Sequence, residues 1–170
     1  MQHPYPVYWP QFYTATILKW LPLLEDDNCK QIIMESLHFL VKQKRARIYA
    51  FVIMKNHLHF IWQPLPPYSL SKLQLVFMKF TAQKIKAYYL KNAPEIIEAC
   101  RVNLPSRKYQ VWKREALSIE LFTPAVFDQK MDYIHQNPVK AGICVLPEEY
   151  RYSSALFYHC GIDSFQVLTQ

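Results

Sequence analysis

His57 and His59, separated by one large apolar residue in Phe51-Val-Ile-Met-Lys-Asn-His57-Leu-His59-Phe-Ile-Trp62, are the pair in this chain whose types and spacing best suit chemistry. In an extended strand side chains alternate faces and each residue advances about 3.3 Å, so both imidazoles point the same way, about 6 to 7 Å apart at Cα. At that spacing two imidazoles can share one metal ion. Leu58, Phe60 and Trp62 then point to the opposite face and bury themselves, which separates an inside from a working side. Far downstream, Lys130, Tyr133 and Asn137 recur at helical spacing and form one polar stripe, beside an apolar stripe of Phe127, Met131 and Ile134. His135 lies about 200° round the same helix from Tyr133 and is read as a packing or hydrogen-bonding residue. His57, His59 and the Asn137 side-chain oxygen suit a divalent cation with positions left open for phosphate oxygens. Tyr133 is then a candidate nucleophile, provided nearby cations favour its ionised form, because a phenol titrates near ~10. On spacing alone a His-x-His pair is more often structural than metal-binding, and Tyr133 is one of 12 tyrosines.

The elements that must position these residues follow from periodicity and punctuation. Gln11 to Trp20 reads as a first strand ended by Pro22, and Asp26, Asp27 or Asn28 caps a helix through about Lys44. Arg47 to Met54 reads as a strand paired, through Lys55-Asn56, with the histidine strand as an antiparallel hairpin. Ser69 or Ser71 starts a long helix through Asn92, with Leu73, Val76, Phe77, Phe80, Ile85 and Tyr88 or Tyr89 on its apolar side. Lys72, Lys79, Lys84, Lys86 and Lys91 lie on this helix without an acidic residue to offset them, a surface suited to phosphates. Ala93 to Pro105 reads as a connection with a short helical turn at 95–100, after which Lys108–Trp112 and Leu117–Phe122 read as strands flanking a turn. Thr123 as N-cap and Pro124 at the first helical position start the tyrosine helix, expected to end at Gln136 or Asn137 because Pro138 follows. The aromatic tail from Pro147 to Tyr158 is expected to pack back on the domain.

Composition bounds the partners. The chain has 170 residues, 51% hydrophobic and 15% aromatic, which suits one globular domain and excludes disorder. A net charge of +7 makes a polyanion the natural partner. No apolar run is long enough to span a bilayer, and Met1 to Pro6 lacks the features of a secretory leader, so a cytoplasmic protein is expected. Cys29, Cys100, Cys144 and Cys160 stand far apart and read as reduced, mostly buried thiols.

Several stretches carry a family resemblance. Met54-Lys-Asn-His-Leu-His59 resembles the Met-Pro-Asn-His-φ-His signature of the HUH single-tyrosine (IS200-like) transposases. Tyr133-Ile-His-Gln-Asn-Pro-Val-Lys-Ala-Gly142 resembles the Tyr-Ile-His-x-Asn-Pro-Val-Arg-Ala-Gly segment of the REP-associated tyrosine transposases within that superfamily. Phe77 to Ile85 and Tyr109 to Lys113 are similar to two further family segments, so the likeness runs in order over about 11–155. It implies an α+β, ferredoxin-like or RNA-recognition-motif-like domain with a central antiparallel sheet and helices packed on it, the histidine strand in the middle. It further implies Mg²⁺ or Mn²⁺ held by His57, His59 and Asn137, and attack by Tyr133 on single-stranded or hairpin DNA to give a 5′-phosphotyrosine and a free 3′-OH. Lys55, Lys72, Lys79, Lys84, Lys86, Lys130 and Lys140 are the expected DNA contacts, in a nucleoid-associated protein acting as a monomer or a homodimer. Lys55 stands where the family has proline, and Lys113-Arg-Glu-Ala-Leu-Ser lacks the aromatic, His-rich stretch common after the tryptophan, a difference that touches target recognition. The competing expectations are a nucleic-acid-binding module that stacks bases without cutting, including a domesticated inactive transposase, and a His-metal hydrolase of small phosphoesters.

Overall fold

A computed structural model describes residues 7–169; the N-terminal stretch read for a leader lies outside them. In chain order the elements are β1 (Gln11–Thr16), α1 (Asp27–Lys42), β2 (Ala46–Ile53), β3 (His57–Pro64), α2 (Leu70–Asn92) and a short α3 (Pro94–Glu98). There follow β4 (Arg101–Leu104), β5 (Arg107–Tyr109), β6 (Leu117–Glu120), α4 (Pro124–Lys140) and α5 (Ala155–Cys160). β2, β3, β1 and β6 form one antiparallel sheet in that order, with the histidine strand β3 and its neighbour β1 in the centre. The succession β1-α1-β2-β3-α2-β6 with this strand order is the expected ferredoxin-like α+β arrangement, to which α4 is added on the second face.

Alternation along the strands sorts side chains between the two faces. Tyr13 and Ala15 of β1, together with Leu58, Phe60 and Trp62 of β3, bury against α1 and α2. Phe12 of β1, Ala50 and Val52 of β2 and Ile61 of β3 pack on the other side with Ile134, Phe127 and Met131 of α4, the apolar stripe read for that helix. Asp26 caps α1 by accepting from the Asn28 N–H, Ser69 caps α2 and Thr123 caps α4, each satisfying a backbone donor that a helix start leaves free. The tail does pack back: Ser153 bridges to Val52, the Ile53 N–H donates to the Tyr152 carbonyl, and the Thr169 N–H donates to the Ile48 carbonyl. These bonds close the free edge of β2.

The structure corrects the sequence reading at several points. β1 stops at Thr16, and a turn over Leu18–Trp20 replaces its second half. Lys108–Trp112 and Leu117–Phe122 do not form a hairpin; Arg101–Leu104 and Arg107–Tyr109 pair with each other, and Leu117–Glu120 pairs with β1. The reason is long-range: an empty edge on β1 takes the later strand, a choice local turn chemistry does not encode. On α2 the buried stripe is Leu73, Phe77, Thr81, Ile85 and Tyr89, while Val76 and Phe80 face outward, because one strict i, i+4 row meets the sheet. Cys29 and Cys100 are buried but Cys144 and Cys160 are not, and all four thiols are free.

The tyrosine helix also runs further than expected, through Pro138 to Lys140. Proline removes its own N–H and crowds the carbonyl of the preceding turn, yet the helix continues across it. The helix ends two residues later, at Lys140, and just beyond it the Ile143 N–H donates to the Pro138 carbonyl and the Gly142 N–H to the Val139 carbonyl. Gly142 holds a φ of 70°, the left-handed geometry that this termination requires and that glycine adopts without steric cost.

Candidate active site

β1 and β3 set the positions of both histidines. In the antiparallel register Thr14 lies opposite His59 and Thr16 opposite His57, so residues of one face meet across the pair. The Thr14 hydroxyl is 2.7 Å from His59 Nδ1. Asn56, in the turn before β3, places its side-chain oxygen 2.8 Å from His57 Nδ1, and its amide nitrogen donates to the Trp20 carbonyl at 3.4 Å. An amide oxygen can only accept, so His57 carries its proton on Nδ1 and presents a lone pair at Nε2. The imidazole of His59 is stacked on Phe12, ring centroids 5.3 Å apart, and is only 5% exposed.

The two imidazoles lie with ring centroids 5.0 Å apart, and Asn137 adjoins the first of them. His57 Nε2 is 3.4 Å from Asn137 Oδ1, and His59 Nε2 is buried without a hydrogen-bond partner. Burial lowers the pKa of His57, opposed by the Asn137 contact. Burial also lowers that of His59, to about 3, helped by repulsion from His57 and Lys130. Both rings are therefore neutral, the form that binds metal. An orphaned buried nitrogen and two facing lone pairs are unfavourable alone and suit a cation, and the ligand types fit a divalent ion. Thr14 and Asn56 hold the second nitrogen of each ring, as the outer partners of metal-binding histidines do.

α4 lies over this group. Tyr133 is 41% exposed, and its ring packs edge-on against His59 and Phe12 with centroids 5.2 and 5.8 Å away. Lys130 Nζ lies 5.7 Å from the centre of the Tyr133 ring and Lys140 Nζ lies 5.8 Å from it. Lys140 takes part because the helix continues past Pro138, which places it two turns beyond Tyr133 on the same face. His135 points away, as read: it is buried, 2.8 Å from the Ser154 hydroxyl, and burial lowers its pKa to about 4 against a smaller opposite effect of Asp132.

The structure thus brings His57, His59, Tyr133, Asn137, Lys130 and Lys140 into one site, with the exposed Lys55 at its edge in the turn before β3. It does not bring Lys72, Lys79, Lys84 or Lys86 there, because α2 packs on the opposite face of the sheet. Thr14 and Asn56 were not identified as site residues from the sequence. Asn56 adjoins His57, a local signal that was available, whereas Thr14 is linked to His59 only through strand register.

Comparison with known proteins bears on the family and the fold. The family profile described as "Transposase IS200 like" matches residues 21–121, a span that holds both histidines and ends before Tyr133 and Asn137. No curated protein matches the chain significantly. Among solved structures, a REP-associated tyrosine transposase bound to a REP hairpin superposes with a TM-score of 0.68 at 17% identity, covering 100% of this chain and 91% of that one. A transposase candidate from Deinococcus radiodurans R1 gives a TM-score of 0.49 at 14% identity, covering 80% of this chain and 96% of that one. The fold is that of the REP-associated transposase structure, and the profile match over more than half of the chain shows that the protein belongs to the IS200-like transposase family.

Proposed function

We propose that the protein nicks single-stranded DNA and transfers the cut strand through a covalent bond between Tyr133 and the 5′-phosphate. The observation that carries this reading is the group of acceptors, His57 Nε2, His59 Nε2 and Asn137 Oδ1, lying beside an exposed tyrosine ring on a protein of net charge +7. Mg²⁺ or Mn²⁺ held by those three atoms would polarise the scissile phosphodiester and orient it. Thr14 and Asn56 hold the two imidazoles in orientation, and the Asn56 oxygen also fixes the tautomer of His57. Lys130 and Lys140 flank Tyr133 and supply positive charge for the phosphate oxygens, with Lys55 at the edge.

The Tyr133 oxygen attacks phosphorus, the bond from phosphorus to the 3′-oxygen breaks, and the proton lost by the tyrosine is balanced by the one the 3′-hydroxyl gains. A new 3′-hydroxyl attacking the phosphotyrosine reverses these events and joins strands, so bond energy is conserved and no external energy source is needed. α4 covers the histidines of its own chain, which supports cleavage by a single subunit. The lysines of α2 form a separate basic surface for DNA outside the site. The REP hairpin bound by the structural relative supports hairpin-forming repeat DNA as the substrate. Among the described residues no helix is long and apolar enough to cross a membrane, which is compatible with a place on the nucleoid.

The test incubates the protein with hairpin oligonucleotides carrying single-stranded arms and Mn²⁺, then separates products on a denaturing gel. A protein–DNA adduct is expected with the wild type and none with Tyr133→Phe. An adduct that persists in Tyr133→Phe removes Tyr133 from the role; no adduct with any DNA leaves a binding module.

A further inference from the structure

Trp20 stands beside the site and has no part in the chemistry above. It is 55% exposed, whereas Trp62 and Trp112 are buried. Its indole meets the His57 ring edge-to-face with centroids 6.0 Å apart, and Lys113 Nζ lies 5.6 Å from the indole centre. Core packing does not account for an indole that leaves more than half of its surface in water.

The backbone holds it there at a cost. Lys19 and Trp20 have φ values of 55° and 57°, two successive non-glycine residues in the left-handed region, where an L-residue is disfavoured. The conformation is pinned by the Trp20 N–H donating to the Ile17 carbonyl at 3.0 Å and by Asn56 Nδ2 donating to the Trp20 carbonyl. The Ile17 and Leu24 N–H groups donate to the Asn56 and Lys55 carbonyls, each at 2.9 Å. Asn56 is also the residue that fixes the His57 tautomer. One side chain therefore ties the Trp20 backbone to a candidate metal ligand.

An aromatic face beside an ammonium group matches one unpaired nucleotide, whose base stacks and whose phosphate carries the charge. We propose that Trp20 stacks the unpaired base adjoining the phosphate handled at His57 and His59, and that Lys113 pairs with that nucleotide's phosphate. The proposal rests on the reading of the site as one that acts on single-stranded DNA, and it assigns the place where the strand enters or leaves. A second exposed aromatic pair, Trp9 and Phe122, has its rings turned edge-to-face on each other at 5.9 Å, so it carries less.

The experiment is binding in EDTA, where metal-dependent cleavage contributes nothing. Hairpin oligonucleotides with an unpaired thymidine arm carry a single 2-aminopurine at successive arm positions, and fluorescence is titrated with the full-length protein. Quenching is expected to peak at one or two adjacent positions with the wild type and to vanish there with Trp20→Ala. Trp20→Ala should bind the arm roughly five- to hundred-fold more weakly, while Trp20→Phe retains most of the binding. Trp20→Leu keeps apolar bulk without a ring and should behave as Trp20→Ala, which separates stacking from loss of fold. Lys113→Ala should lower the dependence of log affinity on log salt by roughly 0.7. Unchanged quenching and affinity in Trp20→Ala, or no position-dependent quenching with the wild type, overturns the proposal. Quenching that depends on Trp20 in a protein forming no Tyr133 adduct would sustain the platform and remove the cleavage reading; an adduct without such quenching does the reverse.

Discussion

The two faces of one sheet are built on different terms. Tyr13 and Thr14 are neighbours in β1, and Leu58 lies between the two histidines in β3, yet each alternation crosses from a dry face to a chemical one. Facing α1 and α2, Tyr13, Phe60, Trp62 and Phe77 interlock, with Phe77 5.5 Å from Phe60 and 5.6 Å from Trp62 between ring centroids. Facing α4, the same two strands present Phe12, Thr14, His57 and His59 to a single helix whose polar stripe carries Tyr133 and Asn137. Two helices seal one face, whereas one helix leaves the other accessible. A central strand can therefore be rigid because of one side and reactive on the other.

The sharpest way to break this contrast is a substitution on the sealed face. Phe77→Ala removes a fully buried ring and should cost about 3 to 5 kcal/mol in urea unfolding, whereas Tyr133→Phe, half exposed on the active face, should leave the unfolding curve unchanged. Comparable losses for the two variants would contradict the division of labour between the faces. Next in size, Thr14→Val keeps shape and strand propensity but removes the group beside His59 Nδ1. Mn²⁺ affinity by calorimetry should fall roughly 10- to 100-fold with thermal stability in EDTA little changed; undiminished affinity would mean that Thr14 does not orient the ligand.

Acid should act through the imidazoles buried on the active face. His59 is held near about 3 and His135 near about 4, below the value of about 6.5 for an exposed imidazole. The unfolded chain thus binds more protons in this window. Stability from these groups is complete above about pH 6.5 and is lost as pH falls to about 4 for His135 and about 3 for His59. Melting temperatures measured across that interval should decline on acidification and decline less in His135→Gln; a rise would contradict the sign.

The smallest expected effect lies on the sealed face, where the Tyr13 hydroxyl is buried without a hydrogen-bond partner and burial raises its pKa. Tyr13→Phe should be neutral or stabilise by about 1 kcal/mol. A clear loss in chemical denaturation would reveal a partner for that hydroxyl.

Much of this was legible in the chain. The alternation His57-Leu58-His59 predicted that Leu58, Phe60 and Trp62 turn away from the histidines into the core, though Ile61 and His59 are buried too, under α4, and Thr123-Pro124 marked the start of α4 to the residue. The motif resemblance implied that Tyr133 and Asn137 join the histidines in one site. Local rules failed where a distant partner decided the outcome. β6 left its expected hairpin for the edge of β1, and α4 passed Pro138, carrying Lys140 to the Tyr133 ring. The lysine-rich helix looked like a phosphate surface by charge, but charge carries no information about which side of a sheet a helix will cover.

The sequence by itself determined the periodicities, the caps, the positive charge and the residue types able to hold a cation or attack phosphorus, because those depend on near neighbours. Tertiary structure alone decided that Thr14 meets His59 and that the α2 lysines stand away from the site. It also decided that Trp20, read as the end of a strand, is turned outward beside His57. Each of these depends on strand register or helix docking between residues far apart in the chain, and such contacts exist only once the chain has closed on itself.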